Sequence, residues 1–306
     1  MSQIYTVIGA GPVGRTIAEQ LLARGEKVRV LTRSGSGPRG AERVAVDAGD
    51  PVALRGQLDG SATVFHCAHA AYDVRAWERE LPRTEAAVLE EAGRAATGVV
   101  FPESLYSYSR TDKAMTETSE RAVSTGKGGV RARLLLARAA HSTPTASVVA
   151  SDFIGPYALA SHVGERMLSA VLAERMLRVV GSPDQAHSFT YVPDLAATMI
   201  AVADRGLDGD RLWHAATGAP VTQREVARGY ARLAGVREPR IGRLPTALLR
   251  VLGVGVPMMR ELAEVAHQFE RPFVLDSAVS QAELGLVSTP FDQVLAETVA
   301  WWRSRT

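Results

Sequence analysis

Residues 4–14 read IYTVIGAGPVG, an apolar run rich in β-branched side chains that is followed at once by a glycine turn. The next residues, Val13 to Ala23, are amphipathic with the period of a helix. A G-x-G-x-x-G turn between a strand and a helix is typical of dinucleotide-binding domains. Gly9 permits the tight turn, Gly11 lets the backbone approach a pyrophosphate, and Gly14 allows the helix and the strand to pack closely.

The residues after the second predicted strand indicate which dinucleotide would bind. That strand, Val28 to Leu31, continues as Thr32, Arg33 and Ser34, with no acidic residue to hold a ribose 2′-hydroxyl. A guanidinium at this place suits the 2′-phosphate of NADP. The sequence therefore predicts NADP(H) as cofactor, with a solvated loop arginine as the alternative reading of Arg33.

Strands and helices alternate along the first half of the chain. Further strands are predicted near residues 43–46, 62–68, 98–101 and 146–150, with helices near 85–96 and 130–141. This alternation predicts an α/β fold, a doubly wound parallel Rossmann sheet with helices on both faces.

The rhythm changes after Gly155-Pro156, and helices dominate from there. We expect an NADP-binding domain over residues 1–157 and a smaller, interleaved substrate domain over residues 158–306. Two late strands, near 188–192 and 211–215, are candidates to return to the main sheet. Thr222 and Glu225 form a capping-box pattern that predicts a helix running to about Leu233.

Composition excludes several classes of protein. The 306 residues are 46% hydrophobic and 22% charged, with a net charge of +2 and arginines scattered among acidic residues, which argues against a nucleic-acid partner. No apolar stretch approaches the roughly 20 residues that span a bilayer, so we expect a cytoplasmic protein without a membrane partner. Cys67 is the single cysteine, and His66 and His69 have no third ligand at a suitable spacing, so we expect no metal site.

Motifs along nearly the whole chain resemble the extended, epimerase-like branch of the short-chain dehydrogenase/reductase superfamily. They lie at residues 46–50, 64–68, 101–108, 152–156, 189–196, 283–286 and 301–302. The first two resemble the segment that contacts adenine and the strand beside the cofactor ribose. The resemblance and the glycine turn together imply a cofactor site made of Gly9, Gly11, Pro12, Val13, Gly14, Arg33, Asp47, Ala48, Cys67 and Ala68.

One departure from this family pattern bears on catalysis. The family uses a tyrosine and a lysine four residues apart on the long helix after the fifth strand, where the ammonium lowers the pKa of the phenol. Alignment places Lys127 and Arg131 at these positions, and no tyrosine of the chain has a lysine four residues later. Tyr106 with Arg110 comes nearest. Ser104 remains at the position of the third catalytic group.

Other polar and aromatic residues fall on segments that should meet at the carboxyl ends of the strands, where open α/β sheets bind ligands. Ser104 and Tyr108 are the candidate catalytic residues. His69, Tyr72, Tyr106, Tyr157 and His187 are the candidate substrate-binding residues, and aromatic packing against cofactor or substrate is the alternative role of each. No G-x-S-x-G turn follows a strand, which argues against a serine hydrolase.

The leading hypothesis is an NADPH-dependent ketoreductase of a small, apolar, aromatic carbonyl compound. Without the tyrosine, the proton would come from Ser104, a pocket tyrosine, water or the substrate itself. The pattern resembles the ketoreductases of aromatic polyketide (angucyclinone) antibiotic biosynthesis. Two alternatives remain open: a non-catalytic NADP(H)-binding redox sensor, and a sugar-nucleotide epimerase or dehydratase. The sequence leaves the oligomeric state undetermined.

Overall fold

The computed structural model describes residues 4–253 and 255–305, which form an α/β fold around a parallel sheet. The strands are β1 Ile4–Ile8, β2 Lys27–Thr32, β3 Glu42–Ala45, β4 Ser61–His66, β5 Gly98–Ser104, β6 Thr145–Ala150, β7 Asp152–Ile154, β8 Leu177–Val180, β9 Phe189–Tyr191, β10 Asp210–His214 and β11 Ile241–Leu244. The helices are α1 Pro12–Ala23, α2 Pro51–Leu54, α3 Val74–Arg94, α4 Gly126–Ala140, α5 Glu165–Leu172, α6 Val192–Arg205, α7 Gln223–Ala234, α8 Thr246–Leu252, α9 Pro257–Val265, α10 Ala278–Leu284 and α11 Phe291–Arg303. Two short 3-10 helices lie at Leu105–Ser107 and Ala266–Phe269.

The main sheet has the order β10-β6-β5-β4-β1-β2-β3, and all its pairs are parallel. The order reverses at β1, whose neighbours are β2 and β4. The predicted doubly wound Rossmann sheet is therefore confirmed. The carboxyl ends of β1 and β4 border the crevice in which such sheets bind ligands.

Helices cover both faces of the sheet. On one face α1 and α6 pack together through buried side chains that include Leu21, Leu195 and Met199. On the other face α2 and α3 bury Leu54 and Val88 against β4 and β5. Burial of each such side chain stabilises the fold by about 1.5–3 kcal/mol, and this packing holds the strand ends in place.

The two late strands take different places. Strand β10 joins the main sheet beside β6, with Asp210 opposite Thr145, as predicted for residues 211–215. Strand β9 pairs instead with β7, with Asp152 opposite Phe189, in a separate two-stranded sheet. The expectation that residues 188–192 return to the main sheet is wrong, because β10 already occupies the edge beside β6.

Local capping signals decide where two helices begin. The capping box at Thr222 and Glu225 is present, and α7 runs over Gln223–Ala234 as predicted. Helix α3 begins at Val74, well before the predicted start, because the Asp73 side chain accepts a hydrogen bond from the backbone N–H of Ala76. Among the described residues, no helix is both long and apolar enough to cross a membrane.

Candidate functional site

A cavity of about 1050 Å³ runs along the carboxyl ends of the strands, from the glycine turn to a chamber with aromatic walls. Gly9, Gly11, Pro12 and Val13 of the predicted turn line one end of it. The chamber at the other end is lined by His69, Tyr72, Trp77, Ser104, Tyr106, Arg131, Asp152, Phe153 and Phe273. The cavity is therefore long enough to place a dinucleotide next to a second ligand.

The three glycines of the turn meet very different surroundings. Gly9 has φ of +96°, and a Cβ there would lie 2.6 Å from the backbone nitrogen of Ala68. A Cβ on Gly14 would lie 2.0 Å from the carbonyl oxygen of Gly9. Gly11 caps α1, and a Cβ there would meet nothing within 4 Å. The turn thus leaves open space in front of the helix N-terminus, where a pyrophosphate would fit.

The end of the cavity at the glycine turn, opposite the aromatic chamber, could hold the adenosine half of the cofactor. Arg33, Asp47, Ala48, Cys67 and Ala68 all line the cavity, as the predicted residues of the turn do except Gly14. Gly14 packs beneath the turn, against Gly9 and Cys67, and has a packing role there. Arg33 is exposed, which leaves its guanidinium accessible to a phosphate. The Asp47 carboxylate accepts a hydrogen bond from the backbone N–H of Gly49, 2.9 Å away, and this contact holds the loop after β3.

A row of buried charges supports the wall of the chamber. Arg138 contacts both carboxylate oxygens of Glu85 at 2.7 and 2.8 Å and one oxygen of Glu103 at 3.0 Å. Burial would raise the pKa of Glu85, but the adjacent Arg138 guanidinium outweighs it and the pKa lies below its ordinary value. Glu103 also accepts the backbone N–H of Ser104 at 2.8 Å, and it lies 3.4 Å from Nε of Arg131. The charges therefore fix the end of β5.

Arg131 and His69 stand together at the edge of the chamber. Nη2 of Arg131 donates to Nε2 of His69, and the arginine also stacks on Trp77 at 4.9 Å from the ring centre. Nδ1 of His69 lies 2.8 Å from the carbonyl oxygen of Ala70, so Nδ1 carries the hydrogen and Nε2 accepts. Burial, assisted by the Arg131 charge, lowers the pKa of His69 to about 4. His69 is therefore neutral near pH 7, with both nitrogens engaged.

Ser104 and two tyrosines offer hydroxyl groups to the chamber. The Ser104 hydroxyl has only a long contact, 3.4 Å, to Glu103. The hydroxyls of Tyr72 and Tyr106 lie 3.2 Å apart. Burial raises the pKa of both phenols, so the tyrosines hold their protons firmly at neutral pH. Ser104 is the hydroxyl most available to donate a hydrogen bond to a ligand.

Lys127 lies on α4 at the place of the family's tyrosine, but it does not line the cavity. Its ammonium donates to Glu261 and, at 2.8 Å, to Glu264. Burial would lower the pKa of Lys127, but the two carboxylates outweigh it and raise the pKa. This residue is a fixed cation that ties α4 to α9.

Tyr108, the second predicted catalytic residue, is also outside the cavity. Its hydroxyl lies 2.7 Å from Nε2 of His214, whose Nδ1 lies 2.7 Å from the carbonyl oxygen of Asp276. The carbonyl can only accept, so Nδ1 of His214 carries the hydrogen and the Tyr108 phenol donates to Nε2. The structure thus contradicts the expected placement, because the short helix after β5 turns Tyr108 into a buried cluster.

Tyr157 and His187 were expected at the substrate, and neither lines the cavity. The Tyr157 hydroxyl donates to Glu19 at 3.1 Å, and its ring packs against Trp301. These contacts engage the Tyr157 side chain outside the cavity lining. His187 is buried behind Asp152, with which it forms a hydrogen bond of 2.8 Å.

Several lining residues were not among the sequence candidates: Trp77, Arg131, Asp152, Phe153 and Phe273. Asp152 lies two residues after the end of β6, so its position near a strand end could have indicated it. Phe273 comes from the C-terminal part of the chain, and no local signal places it here.

His66 and His69 point to different surroundings. The ring of His66 packs on Phe101, whereas His69 lines the cavity. Within residues 4–253 and 255–305, no three His, Cys, Asp or Glu cluster as metal ligands.

Comparison with known proteins agrees with this geometry. Residues 5–213 match the model of the NAD dependent epimerase/dehydratase family. The chain is 26% identical over 328 residues to sterol demethylase protein B of Methylococcus capsulatus, covering 98% of each protein. Among solved structures, that of gox2253 has a TM-score of 0.80 at 20% identity, covering 99% of this chain and 98% of the other. UDP-glucose 4-epimerase from Thermotoga maritima, with UDP-glucose, has a TM-score of 0.78 at 16% identity and 99% coverage of both.

Proposed function

Because the chain belongs to the NAD dependent epimerase/dehydratase family, we propose that it is an NADP(H)-dependent oxidoreductase that reduces a carbonyl group on an apolar ring compound. The observation that carries this proposal is the composition of the chamber. Its walls are largely aromatic, with Tyr72, Trp77, Tyr106, Phe153 and Phe273 around a few polar groups. Such a lining suits a flat or fused ring system, and the similarity to a sterol demethylase protein is in keeping with it.

The charges in the cavity favour this substrate over a sugar nucleotide. A nucleoside diphosphate needs cations beside its phosphates. In the chamber half of the cavity, Arg131 is the cation among the described lining residues, and it already contacts Glu103 and His69. Arg33 and Arg83 lie instead at the opposite end, where the cofactor would place its adenosine phosphates.

The residues fit the roles that a reductase requires. The glycine turn and the N-terminus of α1 would hold the pyrophosphate, and Arg33 would bind the 2′-phosphate. A bound nicotinamide would supply hydride to the carbonyl carbon. The Ser104 hydroxyl would donate a hydrogen bond to the carbonyl oxygen, and the aromatic walls would exclude water from it.

A substrate panel tests the proposal. Purified protein with NADPH would be given ring ketones of sterol type, aryl ketones and quinones of polyketide type, and 4-keto sugar nucleotides, and NADPH oxidation would be followed by absorbance. The Gly11→Val variant serves as the control for cofactor dependence. We expect turnover with at least one ring ketone. Turnover confined to the sugar nucleotides would contradict the substrate class, and NADPH binding without any turnover would favour a redox-sensing role.

A further inference from the structure

Asp152 stands at the wall of the chamber, next to the proposed position of the carbonyl group. It follows strand β6, in which Ala150 is the register partner of Ser104 on β5. The two side chains therefore emerge at the ends of neighbouring strands, and both line the cavity. The Asp152 side chain is 18% exposed, so a ligand in the chamber could reach it.

His187 lies directly behind this carboxylate and is 1% exposed. Its Nε2 is 2.8 Å from Oδ2 of Asp152, and its Nδ1 is 3.2 Å from the carbonyl oxygen of Gln268. A carbonyl oxygen can only accept a hydrogen bond, so Nδ1 carries a hydrogen. The contact between Nε2 and Oδ2 then needs a second proton, which can reside on either atom. The pair therefore holds one transferable proton.

The imidazole is held rigidly in this position. Phe269 and Phe273 stack on it, with ring centres at 4.5 and 5.3 Å. The backbone N–H of His187 donates to the carbonyl of Val221 at 2.9 Å, and the N–H of Val221 donates back at 3.0 Å. These contacts hold the His187 ring, and the proton that it shares with Asp152, in one orientation before the substrate reacts.

We propose that Asp152, backed by His187, is the proton donor of the reduction, in place of the tyrosine that α4 lacks. This inference rests on the proposed function. When a bound nicotinamide supplied hydride to the carbonyl carbon, the π pair of the C=O bond would move to oxygen. That oxygen would take up the proton of the pair, which passes from Nε2 of His187 to the Asp152 carboxylate and on to the substrate. The carbonyl would be reduced to an alcohol at the expense of the reduced nicotinamide, and solvent would return one proton to the pair.

The surroundings favour this pair over the tyrosines as donor. Burial would raise the pKa of Asp152, but the hydrogen bond and charge of His187 outweigh it and lower the pKa. His162 also faces the pair, and burial lowers its pKa, so it adds no charge near neutral pH. Tyr72 and Tyr106 face Asp152 across the chamber with raised pKa values and release protons less readily.

The Asp152→Asn variant tests the assignment, because the amide keeps the shape and a hydrogen bond to His187 but cannot transfer the proton. With a ketone that the unmodified protein reduces, we expect kcat to fall about 100-fold or more, with the Kd for NADPH unchanged. The kcat of the unmodified protein should decline through one ionisation as pH rises, and the variant should lose this limb. A variant that keeps most of its kcat would overturn the proposal.

Asp194→Asn is the matched control. The Asp194 carboxylate is also half-buried, but it accepts the backbone N–H and hydroxyl of Thr289 at 2.8 and 2.7 Å, outside the cavity. The kcat of the Asp194→Asn variant should stay within about threefold of the unmodified value, because this carboxylate does not reach the substrate. An equal loss of kcat in both variants would indicate a structural effect of losing a buried carboxylate and would overturn the proposal.

A measurement without turnover completes the test. The ring nitrogens of His187 would be examined by ¹⁵N NMR at the pH of the assay. We expect both Nδ1 and Nε2 to carry hydrogen, because Nδ1 faces the carbonyl oxygen of Gln268 and Nε2 faces Oδ2 of Asp152. A His187 with hydrogen on one nitrogen only would overturn the pair as donor. Failure to reduce any carbonyl compound, with both nitrogens carrying hydrogen, would instead contradict the proposed function.

Discussion

Gly11 and Gly14 both belong to the phosphate turn, yet a side chain at each would act differently. At Gly11, φ of −71° is accessible to any residue and the space is open, so Gly11→Val should fold while filling the place of the pyrophosphate. We expect no NADP(H) binding by titration calorimetry and an unchanged circular dichroism spectrum.

Gly14→Val is the contrasting variant, because its Cβ would collide with the Gly9 carbonyl oxygen at 2.0 Å. This variant should lose the fold itself, which circular dichroism would show. Normal NADP(H) binding by a folded Gly11→Val protein would mean that the phosphate site lies elsewhere in the cavity.

Arg33 carries the prediction on cofactor choice. It lines the cavity and is exposed, so a 2′-phosphate can reach its guanidinium. Loss of a charged hydrogen-bond partner costs about 1.5–3 kcal/mol, so Arg33→Ala should weaken NADPH binding about 10- to 100-fold and leave NADH binding unchanged. Arg39→Ala, an exposed arginine of the same loop that does not line the cavity, is the control. Equal affinity of the unmodified protein for both cofactors would argue against the assignment.

Substitutions at Ser104 and Tyr108 should have opposite effects, the first on kcat and the second on the free energy of unfolding. The Ser104 hydroxyl faces the cavity, so Ser104→Ala should lower kcat about 100-fold, the usual cost of losing one placed donor to a carbonyl oxygen. Tyr108→Phe should leave kcat nearly unchanged, but it removes the partner of a buried His214 nitrogen and should cost about 1–3 kcal/mol in the free energy of unfolding. Kinetics and urea denaturation of both variants check this, and a reversed pattern would refute it.

At the scale of elements, the ion cluster of Lys127, Glu261 and Glu264 joins α4 to α9. Removing one member of a buried ion pair leaves an uncompensated charge, which costs about 3–5 kcal/mol. We therefore expect Lys127→Ala to lower the free energy of unfolding by about this amount, while the folded fraction retains most of its turnover.

Lys113→Ala removes an exposed lysine and serves as the control for this measurement, with an expected change within about 0.5 kcal/mol. Complete loss of turnover in folded Lys127→Ala protein would give the lysine a catalytic role that its position outside the cavity does not support.

At the scale of the whole molecule, stability should depend on pH through buried His66. It is 3% exposed, and burial lowers its pKa from 6.5 to about 4. Between these values the unfolded chain binds a proton that the folded protein does not, so stability is present above pH 6.5 and falls as pH drops towards 4. At about 1.4 kcal/mol per pH unit, the full loss is about 3–4 kcal/mol.

Chemical denaturation at several pH values tests this dependence. His66→Leu removes the titrating ring, so its stability should fall less steeply than that of the unmodified protein between pH 6.5 and 4. His267→Leu removes an exposed histidine and should follow the unmodified curve. Parallel curves for the unmodified protein and His66→Leu would show that this ring does not contribute to acid sensitivity.

The features that the sequence by itself determined are local elements of secondary structure. The strand, turn and helix at residues 4–23 follow from apolar periodicity and from glycines that short-range sterics require. The capping box before α7 depends on residues three apart, and it too could be predicted. The parallel sheet could be predicted from the alternation of strands and helices. Short right-handed crossovers between successive strands allow only a few strand arrangements.

Only the tertiary structure decided which side chains meet in the chamber. Tyr108 was expected at the substrate from its distance to Ser104, but its partner His214 lies 106 residues away and draws the phenol into the interior. Asp152 and His187 are 35 residues apart, and their pairing depends on β7 lying beside β9. No local period encodes such contacts, because they result from packing of elements whose relative positions are fixed only when the core forms.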